Sequence, residues 1–254
     1  MVIGRAHGRM LQAALIVALA LPCVVDAAQA PKQAEQMLAD ARVLLDRGDE
    51  AGALLKVEEA AELAPDWPPP HASLGLLYQR QDDEALAREH FTRFQLLGLL
   101  EAGVEDCRLT REIAEGEALM IYLTNAERVE RKLPILMPHA QLSDVARGHS
   151  DEMARLAYFS HRSPKAATRT PTDRFLQIFG FTPPCIAENL ARMASRPLWS
   201  FNLDNLRESH ARLMESDSHR DAILWDRPTH IGLGIAVNER GDYWITENFV
   251  RFTR

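Results

Sequence analysis

Cysteine is scarce in this 254-residue chain: Cys23, Cys107 and Cys185 are the three present, and no two are spaced as Cys-x-x-Cys. That excludes a zinc ribbon and a thioredoxin-like redox site. Basic charge is in deficit as well. Twenty-nine Lys and Arg face 36 Asp and Glu, a net charge of -7, which disfavours nucleic acid as a partner of the whole protein. No Gly-x-Ser-x-Gly occurs, so there is no nucleophile elbow. A comfortable membrane span is missing too. The apolar run at residues 11–25 is short and is broken by Gln12, Pro22 and Cys23. What is present is ordinary globular composition, 46% hydrophobic and 26% charged, in a length that suits one large or two modest domains.

That apolar run has the layout of an export signal. Arg5 and Arg9 precede it, and Val25-Asp26-Ala27 and Ala28-Gln29-Ala30 offer small residues at the positions a signal peptidase reads. Pro31 directly after Ala30 favours cleavage after Ala27. The expectation is a signal peptide at residues 1–27 and a secreted or periplasmic product that is not an integral membrane protein. Cys107 and Cys185 then remain, either as two separate thiols or as a bridge tying a linker to the loop before Glu188.

Residues 34–67 and 68–101 align at a 34-residue period. The second copy carries Leu74-Gly75-x-x-Tyr78, Ala87 and Phe91; the first has Ala41, Leu44, Ala53, Val57, Ala60 and Pro65. This resembles a pair of tetratricopeptide repeats, which fixes an all-α segment over residues 31–105. Two repeats bury little apolar face, so they should lean on a further helix at residues 94–102 or on the following domain. A protein partner is the expected use of such an arm.

From residue 112 the pattern changes. Helices are expected over 112–132, 140–157, 171–179 and 203–215, and two strands over 231–237 and 243–250, joined by a turn at 238–242. Thr170, Pro171 and Asp173 start the third helix and Gly180 stops it. Gly232 and Gly234 alternate with apolar residues, as they would where another backbone lies close on that face.

Three polar clusters stand out: Tyr158-Phe159-Ser160-His161, Ala187-Glu188-Asn189-Leu190 and Ser218-His219-Arg220. His161, Glu188 and His219 are 27 and 31 residues apart, so only tertiary folding can join them. In order along the chain stand Asn125-x-x-Arg128, His149-Ser150-x-x-Met153, the three clusters, His230-Ile-Gly-Leu-Gly and Tyr243-Trp-x-x-Glu-Asn-Phe249. That series resembles the CAP superfamily of cysteine-rich secretory, antigen 5 and pathogenesis-related proteins, in its bacterial form, over residues 112–254.

The resemblance implies an α+β fold, an α-β-α sandwich around a small, mainly antiparallel sheet. It also implies a cleft lined by two His and two Glu. His161, Glu188 and His219 match three of the four. The fourth position is Ser216, with Glu215 adjacent but turned away by about 100° on a helix. Two neutral imidazoles can bind Zn2+ or another divalent metal weakly, with Glu188 as a further ligand or an orienting group. Asn189 is expected to fix a ring tautomer. His149 lies on an apolar helix face, where a hydrogen-bonded core role outweighs a ligand role. The expected activity is binding of such a metal or of a small or lipid-like molecule. The alternative is a metal-assisted hydrolase acting on peptides or cell-envelope material, with His161, Glu188 and His219 as its candidate catalytic residues.

Overall fold

The computed structural model describes residues 30–102, 110–194 and 200–252. The expected leader at 1–27 and Cys107 lie outside them; Cys185 is buried.

Four helices open the described chain: α1 (Ala30–Asp46), α2 (Glu50–Leu63), α3 (Pro68–Arg80) and α4 (Glu84–Ala102). They form two hairpins, α1 on α2 and α3 on α4. Gly48, with φ of 80°, makes the first turn, and Asp49 then caps α2 by accepting from the Gly52 N–H at 2.9 Å. Gly75 lets α3 and α4 approach: a Cβ there would lie 2.4 Å from the Phe91 ring. Residues 94–102 are not a separate helix but the continuation of α4. Nothing between Glu84 and Ala102 breaks it, and Gly98 faces Ala140 instead of ending a turn.

The remainder runs α5 (Arg111–Glu130), β1 (Met137–Pro138), α6 (Ala140–Leu156), a 3₁₀ turn (Ala166–Thr168), α7 (Pro171–Phe179), β2 (Ile186–Met193), α8 (Leu203–Glu215), α9 (Asp217–Ile223), β3 (His230–Val237) and β4 (Tyr243–Val250). The sheet order is β1-β3-β4-β2, with β1 parallel to β3 and the other pairs antiparallel. The fold is α+β, as expected. β2 had not been read as a strand: its burial does not alternate cleanly, and its register with β4, Ile186 opposite Val250 through Met193 opposite Tyr243, is what orders it.

One layer on the sheet is α6, which seats directly on β3. A Cβ at Gly232 would lie 2.3 Å from the Leu142 carbonyl carbon, and one at Gly234 would lie 2.0 Å from the Arg147 nitrogen. The other layer is α5 and α8. Buried Glu117 of α5 accepts from the Ile235 N–H (3.1 Å) and from Arg147 of α6 (2.8 Å), so one ion pair ties both layers to β3.

The helical arm is continuous with this core. Leu76, Ala87 and Phe91 share a buried cluster with Leu119, Ile121 and Ile245. Gln79 donates to the Tyr122 carbonyl at 2.8 Å, and Arg207 pairs with Glu84. The second hairpin therefore uses α5 as its missing neighbour. The first hairpin buries Ala34, Ala41, Ala53 and Ala60 but leaves Val43 and Leu55 exposed.

Candidate functional site

The site is organised by two consecutive residues of β2. Side chains of a strand alternate between faces, so Glu188 points to the α6–α7 side and Asn189 to the α5–α9 side. Each holds one of the two histidines, and they hold them differently.

On the first side, Glu188 Oε1 accepts from His161 Nδ1 at 3.0 Å, and Oε2 accepts from Arg174 Nη2 of α7 at 2.6 Å. The Glu188 side chain is 1% exposed and that of Arg174 is 6% exposed. Arg174 also donates to the His161 carbonyl at 3.2 Å and the Thr168 carbonyl at 3.1 Å, closing the loop between α6 and α7. α7 places Arg174 because its first turn is locked by a capping box between Thr170 and Asp173 and it ends at Gly180 in the left-handed conformation. A carboxylate at Nδ1 requires an N–H there, so in the neutral ring Nε2 is the acceptor, on a half-exposed side chain.

His149 braces the same loop from beneath. It is buried, and its Nε2 sits 3.1 Å from the Ser160 carbonyl, so Nε2 is the donor. Nδ1 is left facing the Tyr158 hydroxyl at 3.5 Å, and Tyr158 donates to Glu152 at 2.8 Å. Burial pushes the His149 imidazole below its ordinary value. Both ring nitrogens therefore face protein groups and not a cleft.

On the second side, the Asn189 amide donates 3.0 Å to the His219 carbonyl and 3.2 Å to Glu247 Oε2 of β4. It holds the backbone of His219, not a ring nitrogen as the sequence had suggested. The far end of α9 is held by Arg128, a fully buried side chain whose Nη1 donates to the Ile223 and Trp225 carbonyls at 2.7 Å each. Asn125 exchanges two hydrogen bonds with Leu136, at 3.0 and 2.8 Å. The Asn-x-x-Arg pair of α5 is thus a clamp behind the site.

The His219 imidazole lies below its ordinary value, first because of burial and then because His161 repels its cation. The two rings are therefore within electrostatic reach, although they hang from opposite layers. β2, which carries the partners of both histidines, is an edge strand. At the position of a fourth polar member, Ser216 caps α8 and its hydroxyl lies 3.4 Å from Ser218 Oγ, while Glu215 is exposed.

A resident metal does not fit this donor set. Both oxygens of Glu188 are engaged, and the guanidinium beside it would repel a second cation. That leaves two imidazoles. Among the described residues no group of three or more His, Cys, Asp or Glu is arranged to hold a metal ion. The arrangement can orient the His161 imidazole through its Nδ1 and turn its other ring nitrogen outward on a half-exposed ring.

Sequence reasoning located His161, Glu188 and His219, quoted Arg128 and Glu247 only as motif members without a role, and missed Arg174. The available signals were a lone arginine beside Phe175 in a short amphipathic helix and an acid between Thr246 and Asn248 in a strand whose ends are apolar.

The family model described as the cysteine-rich secretory protein family matches residues 121–250, half of the chain. An uncharacterized protein of Bacillus subtilis, YkwD, is 34% identical over 138 residues, which is 54% of this chain. The chain spans about half of that relative's length (48%). An extracellular protein containing an SCP domain from Bacillus anthracis is 29% identical, with 58% of this chain and 45% of that one covered and a TM-score of 0.45. An outer surface protein from Borrelia burgdorferi is 16% identical, with 55% of this chain and 94% of that one covered and a TM-score of 0.47.

Proposed function

The chain belongs to the cysteine-rich secretory protein (CAP) family, and from that premise we propose that it is an exported binding protein whose cleft takes a small polar ligand between His161 and His219. The observation that carries this reading is the anchoring of both histidines by buried partners beside an edge strand: the His161 ring by Glu188 and Arg174, and the His219 backbone by Asn189, with Arg128 at the far end of its helix. Rigid first contacts supported by buried partners are what a binding site needs. The basic start, short apolar run and small residues before Ala27 support export. Among the described residues no helix is long and apolar enough to cross a membrane.

The helical arm serves a protein partner. Its second hairpin is fused to the CAP core, while its first leaves Val43 46% and Leu55 61% exposed, apolar surface that a partner would cover. Zn2+ or another divalent ion would find only two imidazole ligands in the cleft, so any metal would exchange freely. One observation favours a hydrolytic reading: a carboxylate-oriented imidazole with a bare Nε2 is the form of a general base. Neither neighbouring serine is set against it, since Ser160 Oγ accepts from the Arg162 N–H and Ser218 faces Ser216.

Mass spectrometry of small molecules that co-purify with the exported protein tests the reading, alongside zinc titration. A molecule retained by the wild type and absent from His161→Ala/His219→Ala is the expected result. Equal retention by both proteins, or none by either, removes the cleft as the binding site. Saturating zinc binding with a slow off-rate would instead restore a metal centre.

A further inference from the structure

Glu247 is an acid in an unusual place. It lies in the middle of β4 and is fully buried. Its described polar contacts are Asn189, which donates to Oε2 at 3.2 Å, and Thr124 of α5, whose hydroxyl lies 3.5 Å from Oε1. Its register partners are Asn189 on β2 and Leu233 on β3, neither of them charged. The other titratable and charged side chains buried in the elements packed on this face make no described hydrogen bond or ion pair with Glu247. Glu117 of α5 is paired with Arg147, and Arg128 of α5 is turned to three backbone carbonyls. His210 of α8 is buried with neither ring nitrogen hydrogen-bonded, and His219 of α9 is reached through its carbonyl.

The Asn189 amide is shared. The same nitrogen donates to Glu247 and to the carbonyl of His219. Its orientation is forced while Glu247 is ionised, because turning the amide would set its oxygen against a carboxylate oxygen and a carbonyl oxygen. A protonated Glu247 lifts the carboxylate half of that constraint. Its O–H can donate to the Asn189 oxygen, so the turned amide becomes acceptable on the Glu247 side, and the hydrogen bond to His219 is then given up.

We propose that Glu247 and Asn189 form a proton-operated latch on the segment that carries His219. The ionised carboxylate holds the amide on the His219 carbonyl. Uptake of one proton from solvent by the carboxylate frees the amide and loosens the start of α9, while Arg128 keeps its far end in place. Burial, the main cause, raises Glu247 to about 7, so the latch works near neutral pH. It acts on the site whichever ligand the cleft takes.

The test is NMR on the full exported protein between pH 5.5 and 8.5. The Asn189 side-chain amide and the Glu247 carboxyl carbon should move in one shared step. Amide exchange at residues 219–221, corrected for its intrinsic pH dependence, should run about five-fold faster below that step, the ratio for one net hydrogen bond of ~1 kcal/mol. Glu247→Gln should abolish the step. Thr124→Val removes a donor to the charged form and should move the step to higher pH, which keeps the proposal testable if Glu247→Gln folds poorly. A Glu247 step that leaves Asn189 and residues 219–221 unmoved overturns the proposal. So does a step that survives in Glu247→Gln, which would assign it to the histidines.

Discussion

Replacing Arg174 with Met should unseat His161 and destabilise the whole protein. The guanidinium is buried and holds three things: Glu188 Oε2 at 2.6 Å, the His161 carbonyl at 3.2 Å and the Thr168 carbonyl at 3.1 Å. Methionine keeps most of the volume but leaves Glu188 as a buried carboxylate without its cation. Breaking a buried pair from one side costs about 3–5 kcal/mol, a large part of the ~5–15 kcal/mol that holds a domain together. Most of that loss belongs to the abandoned charge and not to the missing attraction. Adding Glu188→Gln to Arg174→Met should therefore recover stability, leaving a deficit of about 1–2 kcal/mol for the orphaned carbonyls. Urea unfolding at pH 7, with the slope checked for two-state behaviour, measures all three proteins. A single-variant loss below ~1 kcal/mol, or a double variant no better than the single, would show that the pair does not hold this loop.

Three further outcomes follow from other parts of the molecule. Glu247 has a folded value of about 7 against an ordinary 4.5, so the native state binds its proton more tightly than the unfolded chain. Its destabilisation is absent below the ordinary value, grows as pH rises through that interval, and levels off above 7 at about 3 kcal/mol; Glu247→Gln should remove that slope in denaturation curves at pH 5 and 8, and an unchanged slope would place its cause elsewhere. Gly234→Ala forces a Cβ to within 2.0 Å of the Arg147 backbone nitrogen, so α6 must move; a loss above ~3 kcal/mol, or roughly 10 °C in Tm, is expected, and a neutral result would refute the close seating of α6 on β3. Residues 31–105 expressed alone should melt broadly, because Leu76, Ala87 and Phe91 lose the α5 side of their cluster; a sharp calorimetric transition would show an independent domain.

The sequence was most legible where local chemistry decides structure. Thr170, Pro171, Asp173 and Gly180 bracket α7 because caps act on the nearest backbone groups. The glycines at 232 and 234 announced a close backbone because nothing else explains small residues in an apolar strand. β2 was invisible for the opposite reason. Ala187, Glu188, Asn189 and Leu190 show no alternation, since both faces of this edge strand meet protein and neither is uniformly apolar. The same limit applies to the site. Motif order found the histidines, but the partners that fix them come from α5, α7 and β4. Whether Glu188 offers its oxygens to a ligand or spends both on Arg174 and His161 depends on where α7 lands.

The period of two along a strand explains why adjacent residues govern histidines in different layers. Had Glu188 and Asn189 been on a helix, they would lie about 100° apart on neighbouring faces. On β2 they point to opposite sides of a sheet, so each holds a histidine carried by a different covering layer. Each histidine is then held through a different bond: His161 by its ring, which fixes a tautomer, and His219 by its carbonyl, which leaves the ring unconstrained at that contact. The two histidines are held unequally for this reason, one through its ring and the other through its backbone.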